Sequence, residues 1–94
     1  METLNAEDFE AHIGRVFKPH GARPNLTLAQ VLHGAPQQVG QRAPFTLILH
    51  GPADEVLPEG MHEFTVEQGG VFAFHVMPVH TVTPARQEYQ AVFN

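Results

Sequence analysis

The chain has no cysteine in its 94 residues, so disulfides, thiolate nucleophiles and cysteine-based zinc sites are excluded. Serine is missing as well, which removes the hydroxyl nucleophile of serine hydrolases. Lysine occurs once, as Lys18, a thin basis for Schiff-base or phosphate-cradling chemistry. Neither a G-x-x-x-x-G-K-[ST] nor a G-x-G-x-x-G run is present, so nucleotide binding by those loops is excluded. No stretch approaches the ~18 consecutive apolar residues of a membrane-spanning helix. The opening Met1-Glu2-Thr3-Leu4-Asn5 is acidic and lacks the apolar core of a signal peptide, so residence in the cytoplasm is expected.

Positive charge is scarce too. Five Lys/Arg stand against ten Asp/Glu, for a net charge of −5. The five cations, Arg15, Lys18, Arg23, Arg42 and Arg86, are scattered along the chain, whereas a phosphate backbone is held by clustered ones. Nucleic acid and membrane are therefore not expected partners. An apolar share of 43% is that of an ordinary globular chain. One domain is expected, burying somewhat more than about 60% of the surface its unfolded form would expose.

One short helix is predicted over residues 6–13. Asn5 suits its N-cap, Leu4 and Phe9 form a hydrophobic staple, and Glu7 and Asp8 favour the positive end of the helix dipole. Ala6, Phe9 and Ile13 share a face, and Gly14 can end the helix. Strands are predicted over residues 15–18, 25–33, 44–50, 61–67, 71–79 and 86–93. In the second, Leu26, Leu28 and Leu32 alternate with Thr27, Ala29 and Val31. The third, Phe45-Thr46-Leu47-Ile48-Leu49, is the most apolar run and reads as a central strand covered on both faces. Residues Pro52 to Gly60 read as an exposed connector. Tyr89, Ala91 and Phe93 form the core side of the last strand.

The hairpin around Gly69-Gly70 is the most constrained element. A two-residue loop would set the apolar series His62, Phe64, Val66 and Phe72, Phe74, Val76 on opposite faces. A three-residue loop, Gln68-Gly69-Gly70, pairs Val66 with Phe72 and Phe64 with Phe74, and turns both series inward. The expectation is a type I turn with a G1 bulge and Gly70 at positive φ. Altogether the pattern is mainly β, about six antiparallel strands in a small barrel or two-layer sandwich with one short N-terminal helix.

Seven histidines are the compositional oddity. No H-x-H, H-x-x-x-H or H-E-x-x-H spacing occurs, and His75 and His80 point to opposite faces of an extended strand. No metal and no cofactor are expected. In the predicted register Glu63 lies opposite His75 on the outer face, a solvated pair worth a few tenths of a kcal/mol. Asp54, Glu55 and Glu59 share a loop but lack the alternating oxygen ligands of a calcium site. His62, on the core side near Glu63 and Glu59, reads as a half-buried structural histidine. The candidates for binding a small ligand are His62, Glu63 and His75, and no catalytic residue is assigned. For binding another protein the candidates are Met61, His75 and Met77 on the hairpin, with Ile48 on the third strand beside them.

Several stretches resemble an uncharacterised bacterial family of domains of about 100 residues. The matching residues are Thr3-Leu4 through Glu7, Phe9, Gly14 and Phe17; Pro44-Phe45 to Leu49 with Gly51-Pro52; and Leu57-Pro58-Glu59-Gly60. The C-terminal signature is Phe74 to Val79 with Pro78, then Glu88-Tyr89-Gln90-Ala91-Val92-Phe93-Asn94. The resemblance covers nearly the whole chain but departs from the family at His75 and His80. It implies a domain of unknown function with no assigned catalytic residues, often encoded near phage-tail-collar-like proteins. The reading that follows is a non-enzymatic interaction or assembly module whose partner is another protein. The alternative is a small-ligand or metal-binding β-barrel, and homo-oligomerisation stays open.

Overall fold

The computed structural model describes residues 4–35, 43–80 and 84–93. It contains one helix, α1 (Ala6–Glu10), and six strands: β1 (Val16–Pro19), β2 (Leu26–His33), β3 (Phe45–Pro52), β4 (Gly60–Val66), β5 (Gly70–Val79) and β6 (Arg86–Phe93). All neighbouring strands are antiparallel, and they close into a barrel in the order β1-β2-β3-β6-β5-β4. Closure selects the barrel over the sandwich. The seam is the short pairing of β1 with β4, Phe17 opposite Val66 and Pro19 opposite Phe64.

Alternation fills the interior. Leu47 and Leu49 of β3, Phe64 and Val66 of β4, Phe74 and Val76 of β5, and Tyr89 and Ala91 of β6 are all buried. All seven phenylalanines belong to this core or pack against it. Both mouths are plugged by segments outside the sheet. At one, Phe9 of α1 is fully buried among Phe45, Phe72, Phe74 and Phe93, with ring centroids 5.1–5.9 Å away. At the other, the β3–β4 connector drops Leu57 into the core, where its backbone N–H donates to the Tyr89 hydroxyl at 2.9 Å. The connector is therefore not the wholly exposed segment its prolines and acids predict.

The helix is shorter than predicted. The Asn5 N–H donates to Asp8 Oδ2 at 2.7 Å, which fixes its start. After Glu10 the chain continues in turns, with His12 N–H donating to the Phe9 carbonyl, and Gly14 at φ 89° redirects it into β1. Ile13 consequently leaves the buried face and is 47% exposed. In β2 a bulge between Leu28 and Gln30 inserts one residue, so the inward series switches from Leu26 and Leu28 to Val31. Leu32, predicted inward, is 47% exposed for that reason. The outer face of β3 is also not covered: Thr46, Ile48 and His50 alternate with its buried residues and remain half-exposed.

The hairpin loop has three residues, but they are Glu67-Gln68-Gly69. Val66 pairs with Gly70, Phe64 with Phe72 and His62 with Phe74, a slip of two residues from the predicted register. An even slip keeps every side chain on its face, so hydrophobic alternation cannot distinguish the two. The Gly69 N–H donates to the Val66 carbonyl at 2.8 Å, and Gln68 at φ 62° gives the turn a positive φ at its third position. A type I turn has negative φ there, so the predicted turn type is corrected. Gly70 does hold positive φ, at 93°, and a Cβ built on it would meet nothing within 4 Å. Gly70→Val is therefore expected to destabilise by more than about 1 kcal/mol through backbone strain alone. A melting temperature equal to the parent's would contradict this conformation.

Candidate functional site

The outer surface of the barrel follows from the register. Gln30, Ile48, Gln90 and Met77 form one row across β2, β3, β6 and β5, and Leu32, Thr46 and Val92 form the next across β2, β3 and β6. On the far side of β5, His75 pairs with Met61 of β4. Three of the four residues predicted as an interface, Ile48, His75 and Met77, thus lie on the outer wall of β2, β3, β6 and β5, with Gln90 between Ile48 and Met77, while Met61 lies beside it on β4. Met61 is 67% exposed and Ile48 and Met77 are half-buried. Leu32 and Val92, absent from the predicted set, add exposed apolar surface beside Ile48. Leu32 faces outward because of the β2 bulge, and Val92 stands beside Ile48 because of the β3–β6 pairing, neither of which local sequence displays.

This wall carries almost no charge. Strands β2, β3 and β5 contain no Asp, Glu, Lys or Arg, and β6 contains only Arg86 and Glu88. Those two lie 3.6 Å apart, Arg86 Nη2 to Glu88 Oε1. Four adjacent strands of the six therefore present one Asp/Glu/Lys/Arg pair, with His33, His50 and His75 as their other ionisable side chains outside the buried core. Depletion of charge around apolar side chains marks the central part of protein interfaces.

The histidines do not converge. His20, His33, His50 and His75 each approach a different glutamate, Glu63, Glu10, Glu88 and Glu59, at 2.9–3.8 Å. Register explains the exchange of partners: Glu63 faces Ala73, so the predicted Glu63–His75 pair does not form. Glu63 instead neighbours His20, whose Nε2 is hydrogen-bonded to the Thr65 hydroxyl. His50 titrates below its ordinary 6.5, chiefly because burial disfavours its charged form and secondarily because of Arg86, with Glu88 opposing both. His62 is half-buried on the inner side of β4, its Nε2 2.8 Å from the Pro58 carbonyl and its ring 6.0 Å from that of Phe64. That is the environment of a structural histidine. His12, which no sequence pattern singled out, packs against Phe72 with its Nδ1 buried and without a hydrogen-bond partner.

Among the described residues, no three His, Asp or Glu side chains gather as a metal cluster. Asp54 and Glu59 are exposed, and Glu55 Oε2 accepts from Arg23 Nε instead of facing them. No polar or charged residue is fully buried among the described residues, and the buried polar atoms named above, the Tyr89 hydroxyl and His12 Nδ1, belong to opposite mouths of the barrel and do not converge.

A family of domains of unknown function, DUF6916, matches residues 4–93. The chain belongs to the DUF6916 family. Every element described above lies within that match, including both plugs and the charge-poor wall. Neither the curated proteins nor the solved structures provide a match to this DUF6916 domain. No helix among the described residues is long and apolar enough to cross a membrane.

Proposed function

We propose that this DUF6916 domain is a non-enzymatic module that docks another protein on the outer wall of β2, β3, β6 and β5. The observation that carries this reading is the pairing of exposed apolar side chains with the near absence of charge across four adjacent strands. Sheet walls in contact with water are normally studded with charged residues, and here Glu88 is the one acid within the four strands. Because the barrel is closed, the partner is met by side chains and not by adding a strand to a free edge. The bacterial family resemblance supplies the class of partner: a tail-collar-like protein of a phage-tail-like assembly, with the domain as a cytoplasmic accessory.

Two substitutions within the wall test the reading. His75→Ser with Met77→Ser is expected to leave the melting temperature nearly unchanged, since His75 is half-exposed and Met77 lines the outer face. Native mass spectrometry of the untagged protein from its own host should show a co-purifying polypeptide that the double variant releases. Retention of the polypeptide by the variant excludes this wall as the docking site. Collapse of the variant would assign His75 and Met77 to the core and overturn the geometry on which the proposal rests.

A further inference from the structure

Two of the scattered cations line one groove. Of the four described cationic side chains, Arg23 and Arg86 lie on Glu55 and Glu88 respectively. Neither Arg15 nor Lys18 has a described carboxylate at salt-bridge distance, although acids outnumber bases two to one in the chain. Both line the same groove, of about 350 Å³, with Val16, Glu67 and Gln68 among its other walls. The pairing of Phe17 with Val66 creates it, because the residues preceding β1 then run beside the loop that follows β4.

Arg15 Nη1 donates to the Glu67 carbonyl at 3.4 Å, which steadies the guanidinium and leaves most of its five N–H donors unused. Lys18 lies two residues beyond Val16 on the same exposed side of β1 and lines the same space. A guanidinium and an ammonium lining one groove form a donor set suited to phosphate or carboxylate oxygens. The groove's volume is that of small-molecule sites. Glu67 lines it as well and supplies an opposing charge that any anion must tolerate.

We propose that this groove binds a small anionic molecule through a phosphate or carboxylate group held by Arg15 and Lys18. The site lies on the β1–β4 side of the barrel, away from the uncharged wall, and does not depend on the docking role proposed above.

The test is titration of the isotopically labelled full chain with inorganic phosphate and, separately, with succinate, at low ionic strength, followed by amide chemical shifts. At least one probe should give saturable shifts centred on Arg15, Lys18 and Gln68. The probe that does so identifies the group recognised. Arg15→Gln with Lys18→Gln should weaken binding by about tenfold or more, the loss expected for charge-assisted hydrogen bonds. Glu67→Gln should tighten it by removing the like charge. Absence of saturable shifts with both probes, equal binding by the double variant, or weaker binding by Glu67→Gln would each overturn the proposal. All three substitutions are at exposed positions, and the same spectra report whether each variant remains folded.

Discussion

Phe9→Ala is expected to lower stability by about 3–5 kcal/mol, the largest effect of any single substitution considered for this chain. Phe9 is fully buried and is the side chain with which α1 closes one mouth of the barrel. Its ring touches those of Phe45, Phe72, Phe74 and Phe93, which come from three different strands. Truncation removes the transfer energy of the ring and leaves a cavity that these rings cannot collapse into, because the sheet fixes their backbones. For a domain of this size each kcal/mol corresponds to roughly 4–8 °C in melting temperature. The variant should therefore melt at least about 12 °C below the parent, and urea unfolding should give the free-energy loss directly. Phe9→Leu, which refills much of the volume, should lose distinctly less. A loss below about 1 kcal/mol for Phe9→Ala would mean that α1 does not plug the barrel.

The second large effect is at the opposite mouth. Tyr89→Phe deletes one oxygen and is expected to cost about 1–3 kcal/mol. The Leu57 N–H donates to that oxygen at 2.9 Å, and both residues are fully buried, so water does not replace the lost acceptor. The pocket is tight: a Cβ on Gly51 would stand 3.2 Å from Tyr89 Cε1 and 2.9 Å from Leu26 Cδ2. Amide hydrogen exchange should show faster exchange at Leu57 than in the parent, while β3 and β6 stay protected. Unchanged exchange at Leu57 would show that the hydroxyl does not anchor the connector.

The strands were legible because each buries one side and alternates accordingly; Tyr89 and Ala91 behave as their spacing predicts. What failed to show locally was decided by pairing. The bulge after Leu28 turns Leu32 outward, and an even slip in the hairpin moves His75 from Glu63 to Glu59 without altering any face. Leu57 follows the exposed Val56 among prolines and acids, with no periodicity to mark which of the two is a plug. Barrel closure depends on β1 meeting β4, residues far apart in the chain. The candidate wall was half legible: its charge-free strings stand in the sequence, but only the strand order β2-β3-β6-β5 makes them one surface. Arg15 and Lys18 were likewise visible as residues, but their shared groove requires the β4–β5 loop alongside them.

The β1 stave has a consequence for how the domain survives at high concentration. It is four residues long, against seven to ten for the others, and pairs with β2 at only Val16 and Phe17. Local opening follows the thinnest cooperative unit, so the barrel comes apart first at this seam and not across the long β3–β6 ladder. When β1 lifts away, β2 and β4 each acquire an unpaired edge, the template on which chains add to one another. One of those edges, β2, contains no charge to repel a second copy. Resistance to cross-β assembly thus rests on Phe17, which faces inward from β1 as Pro19 does and packs against the rings of Phe64, Phe72 and Phe74.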